Sequence, residues 1–269
     1  MQIVTPANGA MTGLPASLQA EYQGEIAILR LNRPEKRNAL DDVTVRGIHA
    51  FFRNLPASTK AVVLAGNGQH FSAGLDLSEV IEQSISDSIA HSRYWHQTFE
   101  AIEFGKVPVV CVLHGAVVGG GLELAAATHV RVAERSTFYG LPEGQRGIFV
   151  GGGGSVRLPR LIGASRMMEM MLTGRTFGAE EGMTAGFSHY VVPEGQGLAK
   201  GLELARKIAS NSALSNFAIM QALPRIAECG TSTGYMFESL MASVAQADDE
   251  ANARKRAFLE KRAGKVVHE

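Results

Sequence analysis

The sequence predicts an α/β core that gives way to a helical C-terminal extension. Two observations carry this. Short apolar runs of strand length alternate with helical stretches as far as about residue 192, and from residue 193 the pattern is helical to about residue 265. A third observation excludes the alternatives: hydrophobic residues are 45% of the 269, charged residues only 19%, and Lys+Arg and Asp+Glu are 26 each. So much apolar content at zero net charge excludes disorder over the whole length. It also leaves no overall field to draw the chain to nucleic acid or to an acidic membrane.

Taken in order, residues 1–19 carry scattered Pro, Gly, Asn and Ser and read as a loose tail. The first strand is expected at residues 25–31 (EIAILRL), ended by Arg33-Pro34, with a helix from Asn38 through Phe52. Residues 60–66 (KAVVLAG) form a short apolar strand that stops at Gly66. A loop, GNGQHFSAGLD, leads to a polar helical stretch over residues 78–104. Residues 107–113 are a second buried strand, and Gly119-Gly120-Gly121 starts an apolar helix, LELAAA. Residues 129–133 are a third strand, residues 136–140 a short extended piece, and residues 187–192 a last strand. Helical character begins at Gly163, where Met167, Met168, Met170, Met171 and Leu172 make a broad apolar face.

The two cysteines, Cys111 and Cys229, fit neither a disulfide framework nor a zinc site. No Lys or Arg precedes Arg30, and no run reaches the length of a membrane span. A reducing, cytoplasmic setting is therefore expected. His91 and His96 are five apart and miss the spacing of a helical metal pair, so no metal site is expected.

Three glycine clusters stand out: Gly66-x-Gly68, Gly119–Gly121 and Gly151–Gly154. Leu124 and Val156 occupy the places where a dinucleotide fingerprint needs its last glycine, and no phosphate loop of the Walker type is present. HFSAG around Ser72 has half of a nucleophile elbow, with His70 where glycine is required. The triplet at 119–121 follows a strand and opens a helix. It either aims free backbone N–H groups at a developing oxyanion or merely permits tight packing. Two carboxylates accompany it. Glu123 sits between leucines in an apolar helix, and Glu143 follows a strand and a proline. They read as an acid/base pair with raised pKa values, or else Glu123 caps a neighbouring loop and Glu143 pairs with Arg146.

The segments LNRPEKRNAL (31–40), HFSAGLDL (70–77), HGAVVGGGLELA (114–125), FYGLPEGQRGIFVGGGGSVRLPRLIG (138–163) and LTGRTFGAEEGMTAGF (172–187) together resemble the crotonase, or enoyl-CoA hydratase/isomerase, family. The resemblance implies an α/β spiral of repeated strand-strand-helix units over residues 20–200. It implies a C-terminal helical region over 201–269 that serves oligomerisation and covers the active site. It further implies an acyl-CoA substrate, with coenzyme A as part of that substrate and no separate cofactor, and homotrimers or dimers of trimers. The thioester oxygen would lie between the backbone N–H groups of Leu75 and Gly120. Coenzyme A would lie along Lys36 to Ala39 and Ala73 to Leu77, touching Lys36, Arg37, Ala39, Ala73, Asp76 and Leu77, with Lys261 and Arg262 near its phosphates. Hydratases of the family carry glutamates at both the Glu123 and Glu143 positions. The resemblance therefore implies hydration of a 2-enoyl-CoA to a 3-hydroxyacyl-CoA, with Glu123 as base on water and Glu143 giving its proton to C2. Two departures stand beside Glu143: Gly144 where a branched aliphatic is usual, and Val150–Leu158 without the usual proline and glutamine. They leave room for isomerisation, hydrolysis or side-chain cleavage, which can run on Glu143 alone, or for a non-catalytic acyl-CoA binder.

Overall fold

A computed structural model describes residues 13–79, 84–247 and 249–260. Lys261, Arg262 and the first twelve residues of the expected tail lie outside them. The chain divides into two compact units, the first running through Lys207 and the second from Ile208.

The first unit is built on a sheet whose inner strands are buried on both faces and largely apolar, the last of them carrying a buried Arg131. These are β2 (Ile26–Leu31), β3 (Ala61–Gly66), β4 (Val109–Leu113) and β6 (Val130–Glu134). They run parallel in that order, with β9 (Tyr190–Val192) beside β6. Near-continuous Val, Ile and Leu is what a parallel sheet covered on both faces requires. The other edge is β1 (Leu18–Gln23), antiparallel to β2 with Leu18 opposite Leu31. The polar sequence LQAEYQ hides this strand, because only Leu18 of its six residues is fully buried. Strand structure thus begins inside the expected tail.

A second, smaller sheet contains β5 (Ala116–Val118), β7 (Phe138–Gly140) and β8 (Phe177–Gly178). Isolated bridges carry its line further, joining Ser72 to Val117 and Leu40 to Leu75. After each inner strand of the first sheet the chain makes one contribution to this second layer: Leu40, Ser72, β5, then β7. It then enters a helix: α1 (Asp42–Arg53), α2 (Ile85–Glu103), α3 (Gly120–Ala126) and, after a glycine-rich loop, α4 (Gly154–Ile162). The unit is therefore repeated strand–strand–helix.

Helix α1 starts later than the sequence suggests. Arg37 and Asn38 are in the left-handed region, at φ 52 and 54. The helix opens only where Asp41 accepts from the Thr44 amide at 2.7 Å, a side-chain N-cap. Its buried face of Val45, Ile48, Phe51 and Phe52 packs into the core. Helix α4 is absent from the sequence reading, which places the helical region from Gly163, because glycines lead into it and Pro159 lies within it. Then come α5 (Ala164–Thr173), α6 (Ala179–Ala185) and α7 (Gly197–Ala209).

The second unit contains α8 (Ala213–Ile226), α9 (Thr231–Ala247) and α10 (Asp249–Leu259). Ser212 caps α8 by accepting from the Ser215 amide, and Asn216 donates to the Ile208 carbonyl at 2.9 Å. No helix among the described residues is long and apolar enough to cross a membrane.

Candidate active site

A cavity of about 260 Å³ in the first unit is lined by Leu75, Trp95, Gly120, Glu123, Glu143 and Gly152, among others. The two carboxylates named from the sequence therefore face one space, together with the two residues whose amides are expected to meet a thioester oxygen. A larger hollow of about 630 Å³ between α1 and α2, lined by His49, Arg53 and Lys106, touches none of these residues. Size alone would choose the wrong place.

Glu123 sits in the first turn of α3 and is 3% exposed. Its Oε1 accepts from the amides of Gly152 at 2.8 Å and Gly154 at 2.7 Å. The second is the first residue of α4, whose local N-terminal residues supply no side-chain cap. Glu123 thus satisfies an orphan donor at that helix start, where a negative charge is favoured. A Cβ on Gly154 would stand 2.7 Å from Glu123 Cγ, so residue 154 has to be glycine for the carboxylate to reach this place. Burial pushes the Glu123 pKa up, while the Gly154 and Gly152 amides and the nearby Arg157 pull it back. The capping alternative is in this sense correct, yet it leaves the carboxyl on the cavity wall.

Glu143 follows β7, with Pro142 between Leu141 and its carboxyl, and is 5% exposed. Its Oε2 is buried and has no hydrogen-bond partner among the described residues. Burial first, and then the negative charge of Glu123, raise its pKa from 4.5 to about 7, against its own backbone amide and Arg146, which lower it. No ion pair with Arg146 forms among the described residues. Gly119, at φ 51, leaves room for Glu143: a Cβ there would stand 3.0 Å from Glu143 Oε1.

The amides of Leu75 and Gly120 lie side by side. A Cβ on Gly120 would fall 3.4 Å from the Leu75 nitrogen, and one on Gly74 would fall 3.1 Å from the Gly120 nitrogen. Neither N–H has an acceptor among the described residues. Ser72 does not act as an exposed nucleophile: it is fully buried, donates to the Asn38 carbonyl at 2.8 Å and accepts from the Gly74 amide.

The two segments expected along coenzyme A run beside each other. The Ala73 amide donates to the Arg37 carbonyl at 2.9 Å, Leu40 to Gly74 at 2.8 Å, and Asp76 to Leu40 at 2.9 Å. Lys36, Arg37 and Leu77 are exposed, while Ala39, Ala73 and Asp76 are half-buried. Asp76 is already engaged. Ser78 and Arg33 hold its carboxyl below its ordinary value, and Arg33 also bonds Asp41 at 2.9 Å. Sequence reasoning did not single out Arg33, and placed Asn38 only within the stretch Lys36 to Ala39 expected along coenzyme A. Buried Asn38 accepts from the Arg33 amide and donates to the Asn67 and His70 carbonyls, tying the two segments together. A polar residue in a left-handed turn between two positions of interest was the available signal. Among the described residues no group of His, Cys, Asp and Glu is placed to hold a metal ion.

The departures beside Glu143 have a packing reason. A Cβ on Gly144 would stand 2.3 Å from the Met171 carbonyl oxygen, so α5 lies against the backbone where an aliphatic side chain would project. Val156 is 52% exposed and does not line the cavity, whereas Gly151 does.

The sequence profile described as Enoyl-CoA hydratase/isomerase matches residues 21–266. The chain is 33% identical over 250 residues to the enoyl-CoA hydratase EchA19 of Mycobacterium tuberculosis, covering 90% of this chain and 93% of that one. It is 29% identical over 245 residues to the short-chain-enoyl-CoA hydratase of Clostridium acetobutylicum, covering 90% and 94%. A crystal structure from Rhodopseudomonas palustris superposes with a TM-score of 0.90 at 53% identity, over 94% of this chain and 98% of that one. The enoyl-CoA hydratase structure from Bacillus anthracis does so at 0.86 and 30%, over 93% and 98%. The repeated strand–strand–helix unit is thus the crotonase-type fold of these neighbours.

Proposed function

The chain belongs to the enoyl-CoA hydratase/isomerase family, and from that premise we propose that it adds water across the double bond of a 2-enoyl-CoA to give the 3-hydroxyacyl-CoA. The observation that carries this reading is the pairing of Glu123 and Glu143 on one cavity wall beside the Leu75 and Gly120 amides.

The thioester oxygen accepts from those two N–H groups, which answer the enolate charge as it develops; losing one such donor typically costs about 3 to 4 kcal/mol of barrier. Glu123, held by two backbone amides that favour the ionised form, takes a proton from water as the oxygen attacks C3. Glu143, whose pKa is raised to about 7 chiefly by burial and whose Oε2 is unpartnered, holds its proton in about half of the molecules at neutral pH and delivers it to C2. Coenzyme A lies along Lys36, Arg37, Ala39, Ala73, Asp76 and Leu77, where two exposed cations are available to its phosphates. The reaction uses no cofactor beyond the substrate's own coenzyme A.

The protein works as a trimer or a pair of trimers in the cytoplasm. Exposed Phe217, Leu223, Met236, Phe237 and Leu240 in the second unit support the assembly, and sedimentation analysis tests it. The free thiols of Cys111 and Cys229 support the compartment. Loss of the conjugated-thioester absorbance on adding crotonyl-CoA tests the reaction. No loss with short, medium or aromatic enoyl-CoAs rejects it.

A further inference from the structure

The peptide unit that joins Gly151 to Gly152 is gripped at both ends. Its N–H, the Gly152 amide, donates to Glu123 Oε1 at 2.8 Å, and its carbonyl, that of Gly151, accepts from Ser92 Oγ at 2.6 Å. A carbonyl can only accept, so the single hydroxyl hydrogen of Ser92 points at Gly151. That leaves the lone pairs of the same oxygen for His96 Nε2 at 3.4 Å. Ser92 on α2, the 151–152 peptide and Glu123 on α3 thus form one hydrogen-bonded chain along the cavity wall, ending on a carboxylate oxygen.

This peptide unit needs an outside grip. Glycine stands on both sides of it, so its backbone turns with little resistance. Turning it over, as between type I and type II turns, changes ψ of the first residue and φ of the second together, and favours glycine at the second. The carbonyl would then face Glu123 in place of the N–H, and a dipole that attracts the carboxylate would become one that repels it. A larger residue cannot stiffen the turn at 152, where a Cβ would stand 2.8 Å from the Phe99 ring. The neighbouring units have other anchors. The Gly152 carbonyl accepts from Arg157 Nη1 at 3.2 Å, and Arg157 is itself held by Glu103 of α2 at 2.7 Å. The Gly154 amide is fixed by the first turn of α4.

Resting on the hydration reading above, we propose that Ser92 is a positioning residue for that reaction: through the Gly151–Gly152 peptide it keeps a donor, and not a carbonyl, turned toward Glu123 while water is activated. Ser92 touches neither the reacting atoms nor Glu123. It acts by holding the peptide, and by polarising it, since hydrogen bonds in series strengthen one another.

The test compares the full chain with Ser92→Ala, Ser92→Thr and Ser92→Val in two readouts. One is crotonyl-CoA hydration. The other is a substrate-free 13C NMR titration of labelled glutamate carboxyls, with the Glu123 signal assigned by its loss in Glu123→Gln. Ser92→Ala should lower kcat about tenfold while KM moves less than about threefold, and should raise the Glu123 midpoint by about half a pH unit or more. Ser92→Thr keeps the donor and should recover most of both effects. Ser92→Val, of the same shape without the donor, should not. The ionisable groups around this wall are Arg157 of α4, Glu143 after β7, and His91 and His96 of α2. They are the same in all four proteins, so differences read the Ser92 hydroxyl. An unmoved midpoint or an unchanged kcat in Ser92→Ala overturns the proposal, as does equal behaviour of the Thr and Val variants. Failure of the hydration reading appears separately, as a Glu123 midpoint that answers to Ser92 in a protein without turnover.

Discussion

Replacing Glu143 by Gln removes a carboxyl whose ionisation the fold opposes. In the folded state its pKa is raised from 4.5 to about 7. Below the unfolded value both states hold the proton, and the group costs nothing. As pH rises from 4.5 to 7 the unfolded chain releases its proton first, so stability falls across that window and the penalty is constant above it. Between pH 5 and 8 such a shift corresponds to at most about 2.5 kcal/mol. Solvent reaching the carboxyl through the cavity reduces this to roughly 1 to 2 kcal/mol. Glu143→Gln is neutral at every pH, so it should gain on the wild type by that amount between pH 5 and pH 8. Urea unfolding of both proteins at the two pH values measures the gain. Any fixed cost of the amide group cancels in the comparison. The same variant should lose about a hundredfold or more of crotonyl-CoA hydration. A stability gap independent of pH would refute the account of why this carboxyl holds a proton. Wild-type hydration by the variant would refute its use.

The wild-type kcat/KM for hydration should fall as pH rises through about 7, the proton of Glu143 being lost, and the limb should vanish from the residual activity of Glu143→Gln. Glu123→Gln should lower kcat by about a hundredfold or more while calorimetry shows coenzyme A thioesters still binding; full activity would remove it from the reaction. Gly154→Ala puts a methyl 2.7 Å from Glu123 Cγ, and should cost a comparable loss of turnover with the circular dichroism spectrum retained. Gly144→Val drives its side chain into the Met171 carbonyl, and should destabilise the protein by roughly 1 to 3 kcal/mol in urea unfolding; an unchanged midpoint would mean α5 does not lie where it is described.

The parallel strands were legible because burial on both faces leaves only apolar residues, as in AVVLAG and VVCVL. The edge strand β1 was not, since half-exposed positions tolerate Gln and Glu. Nor was α4, whose start is capped from a distance by Glu123 and whose glycines argue locally against a helix. At the site, Glu123 and Glu143 could be named from the sequence because carboxylates among apolar residues demand a reason. That they share a cavity with each other depends on strands from separate turns of the fold, which no local pattern encodes. Arg33 was passed over for a related cause: it matters through Asp76, far away in sequence.

The hold on Glu123 couples two properties that are often separable. Its carboxyl is clamped by the main chain of Gly152 and Gly154, and the turn that provides the clamp continues directly from Ile148, Phe149 and Val150, which line the same cavity. Remodelling that loop to accommodate a bulkier tail will drag Glu123, the proposed base, with it, trading range against speed. Substitutions on the opposing helical wall, at positions 88 and 91, escape this linkage. Directed broadening of the substrate range should therefore begin on α2 and leave the glycine-rich turn untouched.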